Sequence, residues 1–116
     1  MSVDIQWLFD VQVPAQCDRH ADRIREIGST YQLHITGRDG GEWFFNFDAD
    51  PPFIRPGVAE EEPACTLILA SEDFKALHAN PYMNAMSLYV RGKIKALGDP
   101  SLYHRFTRLF TLPIVR

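Results

Sequence analysis

The pattern of apolar and polar positions switches between a period of two and a period near 3.6 along the chain. Tyr31, Leu33 and Ile35 alternate with Gln32, His34 and Thr36, which predicts a half-buried strand. Arg38-Asp39-Gly40-Gly41 then reads as a hairpin turn, with Asp-Gly supplying the positive φ that tight turns need. On the return strand Trp43, Phe45 and Phe47 share one face, and Phe44, Asn46 and Asp48 the other. Pro51-Pro52 interrupts it, and Phe53 to Arg55 predicts a short edge strand. Cys65, Leu67 and Leu69 alternate with Thr66, Ile68 and Ala70 in a further strand, and Lys93 to Leu97 reads as the last, with Ile94 and Ala96 inward.

Helical spacing fills the intervals. Cys17 to Ile27 places Ala21, Ile24 and Ile27 on one face, and Gly28 stops it. Ser71 is positioned as an N-cap before Phe74 and Leu77, with Glu72 and Asp73 in the first turn. Asn80-Pro81 pairs a capping residue with a first-turn proline, and a helix carrying Met83 and Met86, with Tyr82, Leu88, Tyr89 and Val90 as further apolar positions, runs to Gly92. Asp99-Pro100 repeats the signal for a helix to about Thr111, with Tyr103, Phe106, Leu109 and Phe110 inward and Arg105 and Arg108 in water. The first 13 residues satisfy two templates. Val3, Ile5, Trp7, Phe9, Val11 and Val13 alternate as in a strand, whereas Ile5, Leu8 and Phe9 make a short helical stripe; Pro14 is expected to close the segment either way.

Hairpin-joined strands followed by clustered helices indicate an α+β domain with an antiparallel-rich sheet covered on one side. Gln32, His34, Thr36, Asn46, Asp48, Thr66, Lys93 and Lys95 fall on the open face, where Phe44, Ile68 and Leu97 are apolar exceptions. Phe44 and Ile68 together predict an exposed interface patch, suited to a homodimer or partner contact.

Composition narrows the function. The 116 residues suit one domain, and 46% hydrophobic with 23% charged residues is ordinary for a packed core. Net charge is −3, from 12 basic and 15 acidic side chains, so no concentrated basic face calls for nucleic acid. The N-terminus has no signal-peptide pattern and no apolar run would span a bilayer, which points to the cytoplasm. Two cysteines, Cys17 and Cys65, are then expected as free thiols. Cys17 and His20 stand three apart but lack further ligands for a metal site. No nucleophile elbow, phosphate loop or zinc-protease motif occurs, and Asp48 and Asp50 beside Pro51-Pro52 read as loop residues. No catalytic residue, metal or cofactor is expected.

From Tyr31 to Phe110 the chain resembles the sterol carrier protein 2 family. Gly41-Glu42-Trp43, Pro63-Ala64-Cys65-Thr66-Leu67, Ser71-Glu72-Asp73-Phe74 with Leu77, and Asn80-Pro81, Ala85, Gly92-Lys93-Ile94-Lys95 and Gly98-Asp99 follow the family's order. Ala79-Asn80 and Asn46 depart from it, and residues 1–28 are diverged. Many bacterial members open with a helix there, which favours helix for the N-terminus, and a stand-alone bacterial-type member is expected. The resemblance implies a twisted five-stranded sheet, mostly antiparallel, with helices on one face and an apolar tunnel between them. It also implies non-enzymatic carriage of a lipid such as a sterol, fatty acid or acyl-CoA. Trp43, Phe45, Phe47, Leu67, Leu69, Phe74, Leu77, Met83, Met86, Tyr89, Phe106 and Phe110 are the lining candidates. Two readings stay open: these side chains surround a lipid, or they fill a core and the domain serves as an interaction module. The final helix and Leu112-Pro113-Ile114-Val115 are candidates for a cover or a transient membrane contact through Arg105, Arg108 and Arg116.

Overall fold

A computed structural model of the chain describes residues 3–115. Five strands form one sheet: β1 (Thr30–Thr36), β2 (Gly41–Asn46), β3 (Phe53–Pro56), β4 (Cys65–Ala70) and β5 (Ile94–Gly98), in the order β3-β2-β1-β4-β5. The neighbours pair antiparallel except β1 and β4, which run parallel with Leu33 opposite Leu67. The Asp39-Gly40 turn sets the β1–β2 register, with Asp39 at φ 64° and Ile35 opposite Gly41. β5 ends at Gly98 (φ 86°), where a Cβ would run into the Ala64 carbonyl; the Asp99 N–H donates to that carbonyl at 3.0 Å.

One sheet face is layered with helices: α1 (Ile5–Trp7), a π-helical turn (Leu8–Gln12), α2 (Val13–Arg19), α3 (Ala21–Ile27), α4 (Ser71–Ala79), α5 (Pro81–Val90) and α6 (Leu102–Thr107), which tightens into a 3-10 turn at Arg108–Thr111. None of the described helices is long and apolar enough to cross a membrane. The N-terminal alternation does not produce a strand. Ile5, Leu8, Phe9, Gln12, Val13, Gln16 and Cys17 form one buried helical stripe, while Trp7 and Val11 face outward. Nor does Pro14 close the segment. The wide turn before it absorbs a residue that has no N–H to give, and the helix continues to Arg19. The expected single helix from Cys17 to Ile27 is instead two, broken at His20 (φ −120°, ψ 37°).

Caps follow the sequence in one of three places. Asn80 Oδ1 accepts from the Met83 N–H at 3.1 Å, whereas Asp99 Oδ1 accepts from the Ser101 N–H at 3.0 Å in the turn before α6, whose N-cap is Ser101 without a side-chain hydrogen bond. Ser71 does not cap α4; Ala70 holds that position and Ser71 is buried as the first helical residue.

The open sheet face differs from expectation. Gln32 and Phe44 are buried, because the segment after β3 folds back across them. Gln32 Nε2 donates to the carbonyls of Trp43 (3.1 Å) and Gly57 (3.0 Å), and its Oε1 accepts from the Ala59 N–H (3.1 Å). Arg55 lies over the Phe44 and Phe53 rings at 5.0 and 5.8 Å and is held there by Glu61 at 3.1 Å. With Phe44 covered, the expected exposed pair of Phe44 and Ile68 does not exist; Ile68 alone is partly exposed.

Candidate apolar site

Between sheet and helices the side chains fill space rather than enclose it. Trp43, Phe45, Phe47, Leu67, Leu69, Phe74, Leu77 and Phe106 are brought together there, each at most 3% exposed. Phe9 from the π turn is wedged against Trp43, Phe45 and Phe74 with ring centroids 4.8, 5.7 and 5.4 Å away. Phe45 meets Phe106 edge-on at 5.0 Å, and Tyr31 meets Phe106 at 4.9 Å. These are ordinary aromatic contact distances, so these rings pack directly on one another. The Trp43 indole N–H donates to Asp10 at 3.1 Å, so the N-terminal helical layer is also fastened to the sheet by a polar contact.

An apolar pocket lies at the edge of this core. Val3, Trp7, Leu8, Leu109, Phe110, Leu112 and Ile114 line it together with Gln12, Gln16 and His78, around a volume of about 240 Å³. Its roof is the C-terminal strap, residues 112–115. Two buried glutamines one helical turn apart hold that strap. Gln12 Nε2 donates to the Val115 carbonyl (3.1 Å) while its Oε1 accepts from the Val115 N–H (2.7 Å), and Gln16 Nε2 donates to the Pro113 carbonyl (3.1 Å). The strap thus gains three hydrogen bonds from side chains rooted in the helical layer below it.

His78 forms part of the pocket wall, its ring 5.6 Å from Phe110 and 6.2 Å from Phe74. Burial lowers its pKa below the ordinary histidine value. The unfolded chain therefore takes up this proton at a higher pH than the folded one. His78 contributes stability that is complete above the unfolded value and is lost as pH falls through it toward the folded value. Urea midpoints measured from about pH 7.5 down to about pH 5 should fall more steeply for the native chain than for His78→Leu. Parallel curves would show that His78 does not couple folding to pH.

The remaining candidates lie elsewhere. Phe110, partly buried, joins the pocket to the core through Phe74 (5.4 Å) and Phe106 (5.7 Å). Met83, Met86 and Tyr89 are exposed on the outer side of α5, at 72%, 51% and 42%. α5 packs inward through Ala85 and Leu88, and Tyr103 donates its hydroxyl to the Ala85 carbonyl at 2.8 Å. Met86 borders a surface cleft of about 280 Å³ between α5 and α6, with Tyr82, Ala85, His104, Thr107 and Arg108. Gln12, Gln16, His78 and Trp7 were not candidates by sequence. The available signal was Gln12 and Gln16 four apart on the stripe of Ile5, Leu8, Phe9 and Val13.

Reactive groups are withheld from chemistry. Burial pushes the Cys17 thiol up to about 12 and the Cys65 thiol up to about 11, so neither is a thiolate near neutrality. Burial likewise raises the Tyr31 and Tyr103 hydroxyls to about 12. Among the described residues no three His, Cys, Asp or Glu side chains are grouped to hold a metal.

Comparison with known proteins assigns this arrangement. The family model described as the SCP-2 sterol transfer family matches residues 12–111. The chain belongs to that family. Among solved structures, the apo form of sterol carrier protein 2 from Yarrowia lipolytica is similar with a TM-score of 0.67 at 17% identity, covering 92% of this chain and 84% of that one. Sterol carrier protein 2 from Aedes aegypti in complex with palmitate gives 0.58 at 16% identity, over 94% and 98%. Both likenesses establish the SCP-2 fold. The rat protein hydroxysteroid dehydrogenase-like protein 2 (Rattus norvegicus) is 25% identical over 88 residues, which is 76% of this chain. The chain spans only 17–21% of the length of such curated relatives, so in them an SCP-2 segment is one part of a larger protein.

Proposed function

We propose that this SCP-2 chain binds and carries an apolar lipid without altering it, in a cytoplasmic setting. The observation that carries the reading is the apolar pocket roofed by the glutamine-held strap. Family membership and the palmitate complex of an Aedes aegypti relative support an acyl chain as occupant. At about 240 Å³ the pocket lies just below the roughly 300–1,000 Å³ common for small-molecule sites. On this reading ligand entry widens it by lifting the strap off Gln12 and Gln16, since the aromatic core beneath is close-packed.

Native mass spectrometry of the purified protein should show added lipid mass, and a fluorescent fatty acid should bind the delipidated chain at one site. Leu112→Trp, which fills the pocket from the strap, should abolish that uptake with little change in unfolding midpoint. No lipid mass and no fatty-acid binding by the native chain would end the carrier reading. Unchanged uptake by Leu112→Trp, with loss in Met86→Trp, would move the site to the cleft between α5 and α6.

A further inference from the structure

Charge is divided unevenly along the chain. Residues 1–80 carry six basic and fourteen acidic side chains, net −8, whereas residues 81–116 carry six basic ones and a single acid, Asp99, net +5. Within the positive part lies α5, which is apolar on two sides. Ala85 and Leu88 face the core, while Tyr82, Met83, Met86, Tyr89 and Val90 are 85%, 72%, 51%, 42% and 73% exposed. At about 100° per residue these five fall within one arc of roughly 120°. No residue from Pro81 to Val90 is charged, although a surface helix ordinarily gives its outer face to charged side chains.

Cations border the arc. Arg91 and Lys93 follow the helix directly and are exposed. Arg108 lines the clefts shared with Tyr82 and Met86. Two acids stand near. Glu26 lines the cleft that Tyr82 shares with Arg108 and Arg23, and the Asp99 carboxylate is engaged by the Ser101 N–H and hydroxyl.

We propose that the outer face of α5 docks the protein on an anionic lipid surface, its apolar arc at the headgroup boundary and Arg91, Lys93 and Arg108 among the phosphates. An apolar arc with a cationic border is the combination by which interfacial helices bind such surfaces. A second copy of this chain fits less well, because self-association through α5 sets two positively charged ends against each other. A single lipid molecule fits less well too, since the arc is a convex helix face and not a cavity. The purpose of docking rests on the carrier reading, as the place where lipid is collected and delivered; the docking itself needs no bound lipid.

The test is co-sedimentation of the full chain with phosphatidylcholine vesicles, with and without phosphatidylserine, at low and at physiological salt. Met83→Ser/Val90→Ser removes apolar arc and Arg91→Glu/Lys93→Glu reverses the border; all four positions are exposed and lie outside the pocket. Partitioning onto phosphatidylserine vesicles should exceed that onto phosphatidylcholine alone at least tenfold and weaken with salt. Each double variant should lose at least tenfold, with unfolding midpoint and solution fatty-acid binding unchanged. The proposal is overturned if the native chain ignores both vesicle types. It is also overturned if both variants still bind while Trp7→Ser/Val11→Ser does not, which would place docking on the N-terminal helix. A dimer by light scattering that Met83→Ser/Val90→Ser abolishes, without vesicle binding, would make a second copy the occupant and overturn it as well. Vesicle binding without any fatty-acid uptake would end the carrier reading and leave docking in place.

Discussion

Phe45→Ala is expected to cost about 3–5 kcal/mol of folding stability, lowering the unfolding midpoint by roughly 10–25 °C. Phe45 is fully buried near the end of β2, with Phe9, Phe47 and Phe106 around it at 5.7, 5.6 and 5.0 Å. Truncation removes the transfer free energy of a benzyl group and leaves a void that rings fixed from three elements cannot close. Such a loss is a large share of the roughly 5–15 kcal/mol that holds a domain of this size folded. The measurement separates a filled core from a tunnel. A side chain bordering open space loses fewer contacts and leaves less new void, so a cost below about 1.5 kcal/mol by urea denaturation would show that Phe45 lines a cavity. The larger cost would show that Phe45 packs within a filled core.

The second large effect is expected at the strap. Gln12→Ala/Gln16→Ala removes three hydrogen bonds to Pro113 and Val115. At about 0.5–1.5 kcal/mol each, their loss favours strap opening by roughly ten- to a thousandfold. Dissociation of a fluorescent fatty acid, followed by stopped flow, should accelerate at least tenfold. The Val115 amide, which donates to Gln12 at 2.7 Å, should lose its hydrogen-exchange protection in the same variant. An unchanged dissociation rate beside an unprotected Val115 amide would mean that the strap covers the pocket without gating it.

The sheet was largely legible because its signals are local. Asp39-Gly40 fixes a hairpin by backbone preference alone, and the alternation on either side fixes which face is inward. Asn80-Pro81 works the same way, since cap and first-turn proline act within four residues. The candidate site was less legible, and the reasons lie in particular residues. Gln12 and Gln16 occupy core positions of a helical stripe, so their polarity hides its period and leaves a false alternation of Val3, Ile5, Trp7 and Phe9 in view. Their partners are strap carbonyls about a hundred residues away, which no window of sequence connects. Phe44 lies on the outer face by strand parity, as expected; what buries it is Arg55 and the segment that Gln32 clips down. On α5 the size of the apolar side chains points them inward, because burial usually follows size. The helix instead approaches the core through Ala85, whose small side chain lets the backbone come within reach of the Tyr103 hydroxyl.

The π-helical turn at Leu8–Gln12 has a consequence for how this segment tolerates change in length. Val13 N–H returns to the Leu8 carbonyl, five residues back, so one more residue is housed there than an α-turn would hold. That residue sets the angular phase between Asp10, which accepts from the Trp43 indole N–H, and Gln16, which donates to the strap. Removing one residue here would let the turn close as an ordinary α-turn with Gln16 and Cys17 kept near their present phase, whereas adding one would turn everything beyond it by about 100° and carry them off the buried stripe. Along this stretch the chain tolerates the loss of one residue better than the gain of one.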